Sequence, residues 1–179
     1  MSDLTNIFLV GPMGSGKSAV GKQLAKELGL EFIDSDTEIE QRTGVDISYI
    51  FEKEGEARFR LREAEVIAEL AQRKGIVLAT GGGAVLDADN RRHLLDNGIV
   101  IYLRASVAQQ LERTQHTRHR PLLVNRDAET VLTELMATRA PWYEEIAALT
   151  VDTGGRRVRT VVSTIRDALA RRGLAPLKN

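Results

Sequence analysis

Short apolar runs alternate with longer amphipathic stretches along this chain. Ile7-Phe8-Leu9-Val10, Glu31-Phe32-Ile33, Ile76-Val77-Leu78-Ala79, Ile99-Val100-Ile101-Tyr102-Leu103 and Leu149-Thr150-Val151-Asp152 read as five strands. Runs that are apolar throughout, not alternating, belong to strands covered on both faces. Between them, apolar residues recur at helical spacing over 19–28, 37–42, 46–70, 89–96, 106–113, 128–148 and 158–171. The helix over 37–42 stops at Thr43-Gly44, and 46–70 should break near Gly55. Asn97-Gly98 closes the helix over 89–96, and Ser106 caps the next. Pro141 should kink the 128–148 helix or split it in two. Strand and helix in strict alternation predict an α/β fold, a five-stranded parallel sheet with right-handed crossovers and helices on both sides. No internal repeat interrupts the pattern.

Composition narrows this picture. One domain over 1–179 is expected, long enough to bury a proper core. Formal net charge is zero, so no overall field draws the chain to nucleic acid or a membrane. Cysteine is absent, which excludes disulfides and thiolate zinc sites. The first residues carry no basic segment before an apolar one, so a cytoplasmic protein, monomeric and without a membrane anchor, is expected. Arginine outnumbers lysine nineteen to six, and planar guanidinium forks suit oxyanions.

The chemistry starts at Gly11-Pro12-Met13-Gly14-Ser15-Gly16-Lys17-Ser18. This segment fits G-x-x-x-x-G-K-[ST] and lies between the first strand and the first helix, where a phosphate-binding loop must lie. Its glycines let backbone N–H groups turn inward around phosphate oxygens. Lys17 supplies a point charge, and the Ser18 hydroxyl is placed to ligate Mg²⁺. A nucleoside triphosphate is the ligand this predicts, on a P-loop kinase core.

Other segments fall where such a core would use them. Asp34 and Asp36 lie at the carboxyl end of the second strand, the edge that faces the ligand crevice. On extended backbone the two carboxylates would point the same way, into that crevice; Asp36 could otherwise cap the helix that begins at Thr37. Arg58, Arg60 and Arg62 alternate on a helix and diverge by about 200°, so they cannot serve one site together. Thr80-Gly81-Gly82-Gly83 follows a buried strand and either lets a ligand lie against the backbone or simply turns the chain. The segment 113–121 is basic, polar and broken by Pro121, of a length to close as a lid over phosphates; as a solvated loop it would look the same. His116 and His119 have no metal-ligating partner at suitable spacing and read as loop surface.

Taken in order, the motifs resemble those of the shikimate kinase family over nearly the whole chain. They are GPMGSGKSAVG at 11–21, FIDSDTEIEQRTG at 32–44, GE-A-FR-x-RE-x-E at 55–65, VLATGGGAV at 77–85, RHRPLL at 118–123 and RAPWYEEIA at 139–147. The resemblance implies a three-layer fold like that of nucleoside monophosphate kinases, with strand order 2-3-1-4-5, an acceptor-binding insertion at about 34–62 and a lid at about 114–127. It implies transfer of the γ-phosphoryl of ATP to the 3-hydroxyl of shikimate in bacterial aromatic amino-acid biosynthesis, with Mg²⁺. By matching position, Gly14, Ser15, Gly16, Lys17, Ser18 and Ala19 would hold the triphosphate. Asp34 would lie by the reacting hydroxyl and near the metal, reaching it through water beside Ser18. Asp36 would accept hydrogen bonds from substrate hydroxyls, while Arg60, Arg139 and the Gly82 N–H would hold the carboxylate. Arg120 would be the lid arginine, acting in catalysis with Lys17 and Asp34. Arg113 would line the adenine pocket, with Arg156 or Arg157 as a second contact there. Trp142, three residues after Arg139, would share its face and report on binding, unless it packs into the core beyond Pro141.

Two other readings stay in view. A gluconate-type kinase shares the P-loop but would not be expected to combine Asp34, Asp36, Arg60 and the triglycine. A nucleotide-dependent switch would hydrolyse slowly and without an acceptor.

Overall fold

The computed structural model describes residues 5–115 and 127–174. Arg120, His116, His119 and nearly all of the expected lid lie outside the described residues. The elements alternate as the apolar pattern predicts. Strands β1 (Asn6–Val10), β2 (Glu31–Asp34), β3 (Ile76–Ala79), β4 (Gly98–Arg104) and β5 (Leu149–Asp152) form one parallel sheet in the order β2-β3-β1-β4-β5. The helices are α1 (Lys17–Leu28), α2 (Ser35–Thr43), α3 (Ile47–Glu54), α4 (Glu56–Ala71), α5 (Ala88–Asn97), α6 (Val107–Thr114), α7 (Ala128–Ile146) and α8 (Val158–Arg171). A 3₁₀ turn, Ala84–Leu86, follows β3.

Burial explains the three layers. Successive β1 side chains point to opposite faces. Ile7 and Leu9 join Val20, Leu24, Val161 and Ile165 on the α1–α8 side. Phe8 and Val10 join Phe59, Ile67, Leu70, Leu94 and Tyr143 on the side of α4, α5 and α7. All five β1 residues are buried, so both faces of the strand contribute, at roughly 1.5–3 kcal/mol for each large apolar side chain.

Register then aligns the carboxyl ends. Leu9 pairs with Ala79 and Asp34 with Ala79 on its other edge, so the loops leaving β1, β2 and β3 emerge side by side. Each helix start is fixed by local chemistry. Asp46 caps α3 by accepting from the Tyr49 N–H at 2.8 Å. Ser106 and Gln109 form a reciprocal capping box on α6. Gly55, at φ 84°, ends α3 and opens α4, at the predicted break.

Two local expectations are corrected. The chain is not extended through Asp36: helix α2 begins at Ser35, and Asp34 is the cap, its Oδ1 accepting from the N–H groups of Asp36 (2.9 Å) and Thr37 (3.2 Å). Asp, Ser and Asp in a row all suit a cap, and the first to leave the strand takes it. Nor does Pro141 split its helix, since α7 runs unbroken through it. Pro141 and Ala137, whose carbonyl loses a partner, are both exposed, so water can satisfy that carbonyl while Arg139, Tyr143 and Ile146 bury the opposite side.

Candidate active site

The loops at the carboxyl edge of the sheet enclose a cleft of about 760 Å³. Gly14, Gly16, Lys17, Ser18, Ala19, Asp34, Asp36, Arg60, Gly82, Arg113 and Arg139 all line it. Gly14 and Arg139, far apart in sequence, thus meet in one space.

At the P-loop end, Gly14 (φ 76°) and Gly16 (φ 87°) take left-handed conformations that other residues rarely adopt. Lys17 Nζ donates to the carbonyls of Gly11 (2.6 Å) and Pro12 (2.8 Å), which keeps its charge over the loop. Ser15 is the exception among the loop residues. Its side chain is fully buried, its Oγ has no hydrogen-bond partner among the described residues, and its N–H donates to the Pro12 carbonyl at 3.2 Å. It shapes the loop from within. Arg113 donates to the Gly14 carbonyl at 2.7 Å and to Thr153 through both its hydroxyl and its carbonyl, so it joins the P-loop to the turn after β5. Arg156 and Arg157 are exposed in the turn before α8 and do not line the cleft.

Between the two ends, Ser18 Oγ donates to Asp34 Oδ2 at 2.7 Å. Both are hard oxygen donors, the kind Mg²⁺ takes. Among the described residues no group of three or more His, Asp or Glu could hold a metal unaided. A cation here would therefore complete its shell with phosphate oxygens and water, which is how Mg²⁺ is commonly bound beside a nucleotide.

The far end holds two arginines. Of the three alternate arginines on α4, Arg60 alone turns into the cleft; Arg62 pairs with Glu54 at 2.9 Å and Arg58 is exposed. Arg60 donates to Glu63 Oε1 at 2.9 Å and to Glu56 at 3.3 Å. Glu63 is 1% exposed; burial pushes its carboxyl above the ordinary range, against the pull of Arg60 and Arg139. Burial likewise lowers the pKa of Arg139, which is 4% exposed. The Nε of Arg60 and of Arg139 are buried without a hydrogen-bond partner among the described residues. Two desolvated guanidinium groups with spare donors call for an anionic ligand.

The triglycine packs into this cluster. A Cβ on Gly81 would lie 2.8 Å from Glu63 Oε2 and 2.9 Å from Asp36 Oδ1; one on Gly82 would lie 3.3 Å from Arg139 Nη1. A Cβ on Gly83 would overlap the Arg60 guanidinium. Gly83→Ala should displace Arg60 and raise KM for the acceptor by on the order of 10- to 100-fold, the cost of moving a positioning group by about an ångström. Its affinity for ADP should stay at the wild-type value. Steady-state kinetics with the acceptor varied, beside ADP titration, check this; an unchanged acceptor KM would contradict it.

The sequence reading did not single out Glu63 or Tyr143. Both are buried polar residues one helical turn from a named arginine, at i+3 from Arg60 and i+4 from Arg139, and that spacing was the available signal. Trp142 does not share the face of Arg139. It is half-buried against the core, outside the cleft lining, with the Arg91 guanidinium 3.8 Å from its ring centroid.

A parallel sheet with a P-loop after its first strand, opening on a pocket that holds Arg60 and Arg139, defines a P-loop kinase of small molecules. The shikimate kinase family model matches residues 13–170. A shikimate kinase from Methylococcus capsulatus is 54% identical over 173 residues, 97% of each chain. The solved shikimate kinase from Acinetobacter baumannii, in complex with shikimate, superposes with a TM-score of 0.93 at 48% identity and 96% coverage of both chains. The chain belongs to the shikimate kinase family. A gluconokinase from Sinorhizobium meliloti, at a TM-score of 0.63 and 22% identity, shares the fold alone.

Proposed function

We propose that the protein transfers the γ-phosphoryl group of ATP to the 3-hydroxyl of shikimate, giving shikimate 3-phosphate and ADP, as a step of aromatic amino-acid biosynthesis. The placing of Arg60 and Arg139 beside the triglycine, in the cleft the P-loop opens on, carries this reading, because two guanidinium groups with spare donors suit one carboxylate. The two guanidinium groups and the Gly82 N–H hold that carboxylate, and Asp36 accepts from the ring hydroxyls. Gly14, Gly16, Lys17, Ser18 and Ala19 receive the triphosphate, and Ser15 supports the loop. Arg113, and Arg156 or Arg157, meet the adenine, and Arg120 closes over the phosphates. Asp34 faces the reacting hydroxyl, where it orients it or takes its proton. Lys17 stabilises the negative charge that grows on the transferred phosphoryl oxygens.

Ser18, with Asp34 through water, would hold Mg²⁺. Once bound, Mg²⁺ neutralises charge on the β- and γ-phosphates. Among the described residues no helix is long and apolar enough to cross a membrane. Action in the cytoplasm belongs to the same proposal, since the reaction draws on ATP.

An assay of ADP release with and without shikimate tests the reading. Release should require shikimate and should not respond to gluconate; slow release indifferent to any acceptor would instead support a nucleotide switch. Arg139→Lys and Asp36→Asn should each raise KM for shikimate about tenfold or more while sparing ADP binding. Lysine loses the fork and asparagine loses the charge, each a difference on the order of 1.4 kcal/mol. If either variant weakens ADP binding instead, with the shikimate KM unchanged, the acceptor pocket is misplaced.

A further inference from the structure

Tyr143 is 0% exposed, yet its hydroxyl reaches the edge of the site. It donates to the Gly82 carbonyl at 2.5 Å. The ring is fixed from behind by Tyr102 on β4, with centroids 5.0 Å apart. Tyr143 does not line the cleft, so it acts through what it holds.

Gly82 needs holding. With no side chain it has the widest choice of φ and ψ, and its two flanking peptide planes decide where its N–H points. The Gly81 carbonyl accepts from the Ala84 N–H at 3.1 Å, which orients the first plane. The Gly82 carbonyl is oriented by Tyr143, which fixes the second. A Cβ on Gly82 would lie 3.3 Å from Arg139 Nη1, so the backbone that Tyr143 holds packs against the Arg139 side chain, which leaves α7 one turn earlier.

We propose that Tyr143 is a positioning residue for acceptor binding: its hydroxyl holds the Gly82 backbone beside the Arg139 side chain so that both present one prearranged anion site. This rests on the reading that Arg139 and Gly82 receive the acceptor carboxylate. Removing the hydroxyl leaves the Gly82 carbonyl without its donor and frees the loop. The loss should fall on acceptor binding and not on the phosphoryl-transfer end, which Tyr143 does not touch.

The test is Tyr143→Phe, which keeps the ring against Tyr102. Its dissociation constant and KM for shikimate should rise about tenfold, as expected for orphaning one buried acceptor. ADP affinity should stay at the wild-type value, and kcat should fall by less than KM rises. Tyr143→Leu, which also removes the ring, should add a drop in Tm that Tyr143→Phe does not show. If Tyr143→Phe binds shikimate within about twofold of wild type by titration calorimetry, the proposal is overturned. A lower Tm with an unchanged shikimate KM would overturn it too, since that is what a purely structural role gives. Arg139→Ala separates the two readings. If it binds shikimate as wild type does, the assignment of the pocket fails, and the role of Tyr143 with it. If it loses binding while Tyr143→Phe does not, only the inference about Tyr143 fails.

Discussion

Lys17→Met gives a folded protein whose kcat is lower by about 10²- to 10³-fold, roughly 3–4 kcal/mol of lost transition-state stabilisation. Methionine matches the length of the lysine stem but carries no charge. In the structure the Lys17 ammonium is anchored on the Gly11 and Pro12 carbonyls, at the mouth of the loop that receives the phosphates. Its worth is greatest where charge develops on the transferring group, so kcat should suffer more than ground-state nucleotide binding. The fold should persist, because the α1 core residues Val20, Leu24 and Leu28 are untouched. A circular-dichroism melt and the coupled ADP assay check both halves. A variant retaining more than about a tenth of wild-type kcat, which is roughly 1.4 kcal/mol of barrier, would refute the assignment.

Asp34 offers a sharper test because one side chain does two separable things. Its Oδ1 caps α2, and its Oδ2 accepts from Ser18. Asparagine is as good a cap as aspartate, so Asp34→Asn should keep the helix start and lose only the charge. We expect kcat to fall about 100-fold or more, near 2.7 kcal/mol, with little change in Tm. Asp34→Ala loses the cap as well, at about 1 kcal/mol, and should melt roughly 2–4 °C lower than Asp34→Asn. Comparable Tm losses in both variants, or a kcat above about a tenth of wild type for asparagine, would sink the assignment of a charge-dependent role.

Much of this architecture was legible because it rests on patterns that water enforces. Ile7 to Val10 of β1 and the whole of β3 are apolar because both faces are covered, and that shows in one dimension. The P-loop was legible because its geometry needs glycine at fixed positions. Spacing alone could not separate Arg60 from Arg58 and Arg62, because it does not say which way α4 faces; the matching motif picked out Arg60. The start of α2 was misjudged because Asp34, Ser35 and Asp36 are all capping residues, and the strand end that chooses among them is set by pairing with β3. Both carboxylates still reach the cleft, since the first turn of a helix leaving that edge points the same way as the strand end. Tyr143 stayed hidden because it does not itself line the cleft. A tyrosine in an amphipathic helix looks like core, and its hydroxyl becomes informative only when the Gly82 carbonyl is beside it. Trp142 was misplaced for the related reason that three residues along a helix share a face loosely, and Arg91 claims that ring from α5.

The crowding around Gly81, Gly82 and Gly83 bears on how such an enzyme can evolve. At two of these positions even a single methyl group would press into a charged side chain that the pocket requires, and at the third it would crowd one. Descendants seeking a new acceptor cannot explore that segment by stepwise substitution. Change must enter through the helices opposite, at Asp36, Arg60 or Arg139, where side chains can be exchanged without moving the main chain. The loop is the fixed half of the mould, and the selectable variation is confined to the other half.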